Sequence, residues 1–185
     1  MTHGKSEYTI YIKYDDNKDT VETHYLHEFF HCIQYEEGFP SLLSYAEGDN
    51  LMAIEISSAI LDIDVRNRLR DNGYSDDRKN ISLSIQKTIK LLKMLQILKD
   101  KQELSSTSDL INTACLLSTA NLYHINIKEV KFLLQKLRPK VIKYYNLLEK
   151  YLKQYPYDTP EGVKSIFENL LSDFGLYDTL YISEN

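Results

Sequence analysis

Only two cysteines, Cys32 and Cys115, occur in 185 residues. That is too few for a disulfide framework, so a reduced, cytoplasmic setting is expected. Six glycines and four prolines leave little room for flexible linkers, and no internal repeat or low-complexity tract interrupts the chain. No apolar run approaches the roughly 20 residues of a membrane span. The opening Met1-Thr2-His3-Gly4-Lys5-Ser6 lacks the basic-then-apolar pattern of a secretory leader. No membrane partner is therefore expected. What is present is ordinary globular composition, 43% hydrophobic and 26% charged, long enough for one core and a small appended lobe.

The net charge of −5 conceals a segregation. Residues 1–80 carry sixteen acids and eight bases, 81–153 five acids and thirteen bases, and 154–185 six acids and one base, giving −8, +8 and −5. A basic middle third raises the question of nucleic acid. Lys87, Lys90, Lys93, Lys136, Lys140 and Lys143 read instead as solvated faces of amphipathic helices. No glycine-rich loop or interleaved aromatics accompany them, which argues against a nucleic-acid partner.

The organising stretch is His27-Glu28-Phe29-Phe30-His31. Tyr8 to Tyr14 alternates with Tyr8, Ile10, Ile12 and Tyr14 on one face, which predicts a strand. After Asp15-Asp16-Asn17, Asp19 and Glu22 form a capping-box pattern, and the helix they open should run to Glu37. Gly38-Phe39-Pro40 ends it. The motif thus sits mid-helix, with Leu26, Phe29, Phe30 and Ile33 expected on the buried side.

Two histidines four apart stack one turn above each other on one helix face and can grip a single ion. The intervening glutamate is placed to act as a general base. Chance would produce this run in roughly 1% of chains of such composition. The expected catalyst is Glu28, the expected ligands His27 and His31, and the expected ion Zn2+.

A second helix is flagged by Gly48-Asp49-Asn50 and should end near Asn72-Gly73. Its stripe reads Leu51, Glu55, Ser58, Asp62, Val65 and Leu69. A carboxylate on a core-facing stripe is costly unless paired or coordinating. Glu55, 24 residues after His31, is the preferred third ligand. Glu47, beside Gly48, is its rival. Asp62 is read as an outer hydrogen-bond acceptor for a ligand imidazole, and as the ligand itself should Glu55 fail. His24, one turn before His27, could line the site. His124, Tyr35 and Tyr74 are among the candidate donors to a developing oxyanion. Cys32 should project away from the metal face.

The remainder reads as helices. Asn80 can cap one from Ile81 to about Lys99, rich in Ile, Leu and Met, expected as a buried helix with a homodimer seam as the alternative. Ser105 to Asp109 precede another through Leu122, and Asn126 with Glu129 opens a long stripe from Val130 to Leu152 that Pro139 should kink or split. Thr159-Pro160-Glu161 caps a helix to about Phe174. Thr179 to Ser183 could pair as a strand with the first.

Strand, H-E-x-x-H helix, Gly-Phe-Pro break and a carboxylate-bearing helix ending in Asn-Gly-Tyr resemble the minimal zincin domain of ImmA/IrrE-type metallopeptidases. The likeness covers residues 8–74, and His27, Glu28 and His31 carry it. It implies zinc, a gluzincin-like arrangement and a protein or peptide substrate. Ala53-Ile54-Glu55-Ile56-Ser57-Ser58-Ala59 departs from that family's alanine-rich glutamate motif, and few strands are in view. The expected fold is α+β, predominantly α-helical. A reduced zincin-like core with one or two strands occupies 1–74, and a C-terminal helical bundle over 75–185 packs on it as one compact domain. The expected function is zinc-dependent peptide hydrolysis, with Glu28 as general base on zinc-bound water. The alternative is a non-catalytic regulatory or interaction protein that keeps a structural or vestigial metal site.

Overall fold

The computed structural model describes residues 9–10, 18–46, 50–74, 78–98 and 107–183. Among them the order is α1 (Lys18–Glu36), β1 (Ser41–Ser44), α2 (Asn50–Asp71), α3 (Arg78–Leu98), α4 (Thr107–Leu122), α5 (Lys128–Leu137), α6 (Pro139–Gln154), α7 (Pro160–Phe174) and β2 (Leu180–Ser183). The described residues are predominantly helical with one small two-stranded sheet, as the periodicity predicts. No helix among the described residues is long and apolar enough to cross a membrane.

The helix ends follow local chemistry. Gly38 takes φ +83, a left-handed conformation, and Phe39 N then reaches back to Gln34 O at 3.0 Å to close α1. Pro139 bars helical geometry at the residue before it, so Arg138 sits at φ −146, ψ 66 and the expected long helix is split into α5 and α6. Thr159 caps α7 by accepting from Gly162 N at 3.2 Å. A side chain at Gly162 would put its Cβ 1.7 Å from the Pro156 carbonyl oxygen, so only glycine fits.

The C-terminal strand forms as expected, but with a different partner. β2 pairs antiparallel with β1, in the register Ser41↔Ser183 and Leu42↔Ile182. Ser-Leu-Leu-Ser is too short for its alternation to stand out, and only Leu42 of it is buried. The strand expected over 8–14 lies outside the described residues, apart from Thr9 and Ile10.

Two apolar clusters share α4 and α6. One gathers Leu42, Ile56, Ile60, Ile111, Leu148, Phe167 and Leu180 from the sheet, α2, α4, α6 and α7. The other gathers Ile85, Leu92, Leu117, Val130, Leu134 and Val141 from α3, α4, α5 and α6. Each fully buried side chain of this kind contributes roughly 1.5–3 kcal/mol. α3 lies at the edge rather than the centre. It buries Ile81, Ile85 and Leu92 and leaves Leu83, Leu91, Met94 and Ile97 exposed.

Two expectations about α1 and α2 are corrected. The buried line of α2 runs through Met52, Ala53, Ile56, Ile60 and Ile63; of the expected stripe Val65 and Leu69 are buried, while Leu51 is 64% exposed. On α1, Phe29 is exposed and stacks on Tyr25, and Leu26, Phe30 and Ile33 are half-buried. Among the described side chains of α1, Gln34 alone is fully buried. Apolar count misplaces this face because α1 meets α2 through a polar seam.

Candidate metal centre

The seam is built from two helical repeats. On α1, His27 and His31 share a face, with their Nε2 atoms 3.2 Å apart and their rings edge to face. On α2, Asp62 projects its Oδ1 to 3.1 Å from His31 Nε2 and 3.5 Å from His27 Nε2. A tetrahedral ion with bonds of about 2.0–2.1 Å has ligand–ligand edges of about 3.3 Å. The three donor atoms form such a triangle, and the triad could hold a metal ion. The side chains of His27, His31 and Asp62 are 19%, 25% and 14% exposed, so the cluster is sheltered yet reachable from solvent.

The protonation pattern also follows from contacts. Gln34 donates through Nε2 to Leu61 O at 3.1 Å and to Asp64 Oδ2 at 2.9 Å. Two acceptors at one end fix the amide, so its Oε1 faces His31 Nδ1 at 3.0 Å and accepts a hydrogen bond there. Neutral His31 therefore carries its proton on Nδ1 and presents a lone pair on Nε2. That lone pair faces a carboxylate oxygen and a second imidazole nitrogen. Such a convergence needs a hydrogen from His27, an added proton or a metal ion between its atoms.

Further residues hold the framework. Arg66 Nη2 donates to Asp62 Oδ2 at 2.9 Å, which leaves Oδ1 to the histidines. Arg68 Nε donates to Asp64 Oδ2 at 2.7 Å, and both of its terminal nitrogens donate to Glu37. Arg68 thus pins the far end of the Gln34 amide and clamps α1 to α2.

Electrostatics agree with this geometry. Burial is the largest influence on His31 and opposes its charge, but the hydrogen bond and charge of Asp62, aided by Gln34 and Glu28, prevail and raise its pKa. For Asp62, burial pushes towards the neutral form. Hydrogen bonds from His27 and His31 and the Arg66 charge overcome it and hold the carboxyl well below the usual carboxylate range.

His27, His31 and Asp62 are brought together as ligand candidates; Glu55 is not among them. It turns towards α4, where Ser108 Oγ and Asn112 Nδ2 donate to its two oxygens, the latter at 2.8 Å. The preference for Glu55 is corrected in favour of Asp62, two turns further along the helix. Asp62 faces the Nε2 atoms of His31 and His27, while Gln34 takes the Nδ1 hydrogen of His31. Glu47 lies outside the described residues.

Glu28 is exposed beside the ligand helix face, and its charge contributes to raising His31 and, after burial, Cys32. His24 and Tyr35 are exposed. Tyr74 donates its hydroxyl to Glu22 at 3.3 Å, and His124 occupies a left-handed turn at the end of α4, with φ 55. Cys32 stays outside the cluster, as expected.

Gln34 and Arg66 are the site residues that the sequence reading missed. Their signal is spacing: Gln34 lies three residues after His31, and Arg66 four after Asp62, so each shares a face with a ligand candidate. Comparison of the chain with known protein families, curated proteins and solved structures gives no match.

Proposed function

We propose that this protein is a zinc-dependent hydrolase, in its simplest form a peptidase, in which His27, His31 and Asp62 hold the ion and Glu28 moves the proton. The observation that carries this reading is the triangle of two imidazole nitrogens and a carboxylate oxygen, 3.1–3.5 Å apart, on the face of an H-E-x-x-H helix. Two neutral imidazoles and one carboxylate suit zinc by donor type. When bound, such an ion supplies Lewis acidity towards a carbonyl and towards water.

The chain's own residues supply the rest. Gln34 keeps His31 in the ligating tautomer, and Arg66 keeps Asp62 aimed with one oxygen inward. Glu28 accepts a proton from the attacking water and delivers it to the leaving amine. An active-site helix followed by a ligand helix keeps the order of a reduced zincin core, with aspartate in place of the glutamate that the resemblance implies. A structural ion in a non-catalytic protein would call for a fourth protein ligand. Among the described residues three converge, which favours the hydrolase.

The test is Glu28→Gln, assayed on a mixed peptide library by mass spectrometry alongside zinc content. Hydrolysis should fall by about 10²–10⁴ while zinc stays bound. Undiminished cleavage by Glu28→Gln would remove the proposed role.

A further inference from the structure

Arg66, which pairs with Asp62, also lines a cavity of about 200 Å³ between α2, α4 and the turn before α7. Arg66, Asn67 and Arg70 line it from α2, Thr119 from α4, Tyr123 from just past the end of α4, and Tyr157 from the turn before α7. No carboxylate is among its lining residues, and the two arginines stand one helical turn apart on the same face. Its polar complement is therefore an oxyanion. Ile63 and Leu122 add an apolar wall, so the anion it suits is one carried on an apolar body.

Charge narrows the choice. Arg66 already gives one nitrogen to Asp62 at 2.9 Å, so its charge is largely answered. Arg70 faces Asp71 at 3.6 Å, with both side chains more than half exposed, a pairing that water screens and a ligand can displace at little cost. Arg70 is thus the cation that a ligand can recruit most cheaply, which fits a singly charged carboxylate. A doubly charged phosphate would be undercompensated.

We infer that this cavity receives the free C-terminal carboxylate of a peptide, with Arg70 as its main counter-ion and the last side chain against Ile63 and Leu122. That the carboxylate belongs to a peptide rests on the hydrolase reading; that the cavity takes an oxyanion does not. Arg66 belongs to both, touching Asp62 and lining the cavity. A chain end held there lies one side chain from the ligand cluster, so cleavage is directed to the C-terminal end of substrates.

The experiment is calorimetric titration of the full chain, zinc-loaded and metal-stripped, with the tripeptide Ala-Ala-Leu, its C-terminal amide, and inorganic phosphate. The free acid should bind about tenfold more tightly than the amide in both metal states. Arg70→Ala should abolish that preference with zinc content unchanged. Equal binding of acid and amide, or a preference that survives Arg70→Ala, overturns the inference. Phosphate binding more tightly than the free acid also overturns it. Cleavage is read separately. Acid-selective binding without hydrolysis sinks the peptidase reading and leaves the cavity's role standing. Hydrolysis indifferent to a free C-terminus does the reverse.

Discussion

Gln34 accepts the Nδ1 hydrogen of His31 at 3.0 Å, and that contact decides which nitrogen of His31 is left open towards Asp62. The amide cannot turn over, because its other end donates to Leu61 O and Asp64. A fully buried glutamine on a helix of otherwise partly exposed side chains is costly unless every polar atom is used. Here all of them are used, Oε1 by His31 and Nε2 by Leu61 O and Asp64.

Gln34→Ala should lower zinc affinity by about 10–100-fold, the usual effect of losing the hydrogen bond that orients a ligand imidazole. Titration against a competing chelator measures it. Unchanged affinity would mean that His31 needs no help to present Nε2.

Asp62→Asn and Glu55→Gln should separate cleanly. The first should lose stoichiometric zinc, since it removes the anionic donor of the triangle. The second should bind zinc like the parent and lose about 1 kcal/mol of stability, because Ser108 and Asn112 then face a neutral group. Elemental analysis and thermal melts of both proteins decide it, and the opposite pattern would restore Glu55 as the ligand.

The pH dependence should change sign with metal. In the metal-free protein the raised pKa of His31 gives stability that is full below 6.5 and lost as pH rises through the folded value. The depressed pKa of Asp62 gives stability that is full above 3.8 and lost as pH falls towards the folded value. The pair therefore supports the metal-free fold best between 3.8 and 6.5. Zinc competes with the proton on His31, so the rise in melting temperature on adding zinc should grow as pH climbs past the raised pKa. A zinc-induced shift that is flat with pH would contradict the shared site.

Removing metal should loosen α1 before anything else. That helix is held to α2 through the polar seam, whereas α4, α6 and α7 are bound by apolar burial. A chelator should speed chymotrypsin cleavage at the exposed Tyr25, Phe29 and Tyr35 while the fragment from α4 onward persists. Uniform digestion of the whole chain would show that the seam is no weaker than the core.

What could be read from sequence was what a single helix dictates. The 3.6-residue period puts His27 and His31 together whatever surrounds them, and Gly38, Pro139 and Thr159-Pro160 punctuate their helices by local geometry alone. The third ligand was not legible in the same way. Choosing between Glu55 and Asp62 requires knowing which turn of α2 crosses α1. That depends on the connection between the helices, where β1 is held by β2 from the far end of the chain and by Ser57 Oγ, which accepts from Leu42 N at 2.8 Å. The face of α1 was misjudged for a related reason. Hydrophobicity marks Phe29 as interior, but the interior of this seam is made of imidazole, amide and guanidinium groups.

The pairing of Ser41 with Ser183 has a consequence for how the molecule comes into being. Both ligand-bearing helices precede β2 in synthesis, yet β2, the pairing partner of the strand that connects them, begins 109 positions after the end of α2. During synthesis the nascent polypeptide would carry both histidines and the aspartate without the brace that aligns them. Competence for ion capture would thus wait until Leu180–Ser183 has emerged and paired with β1.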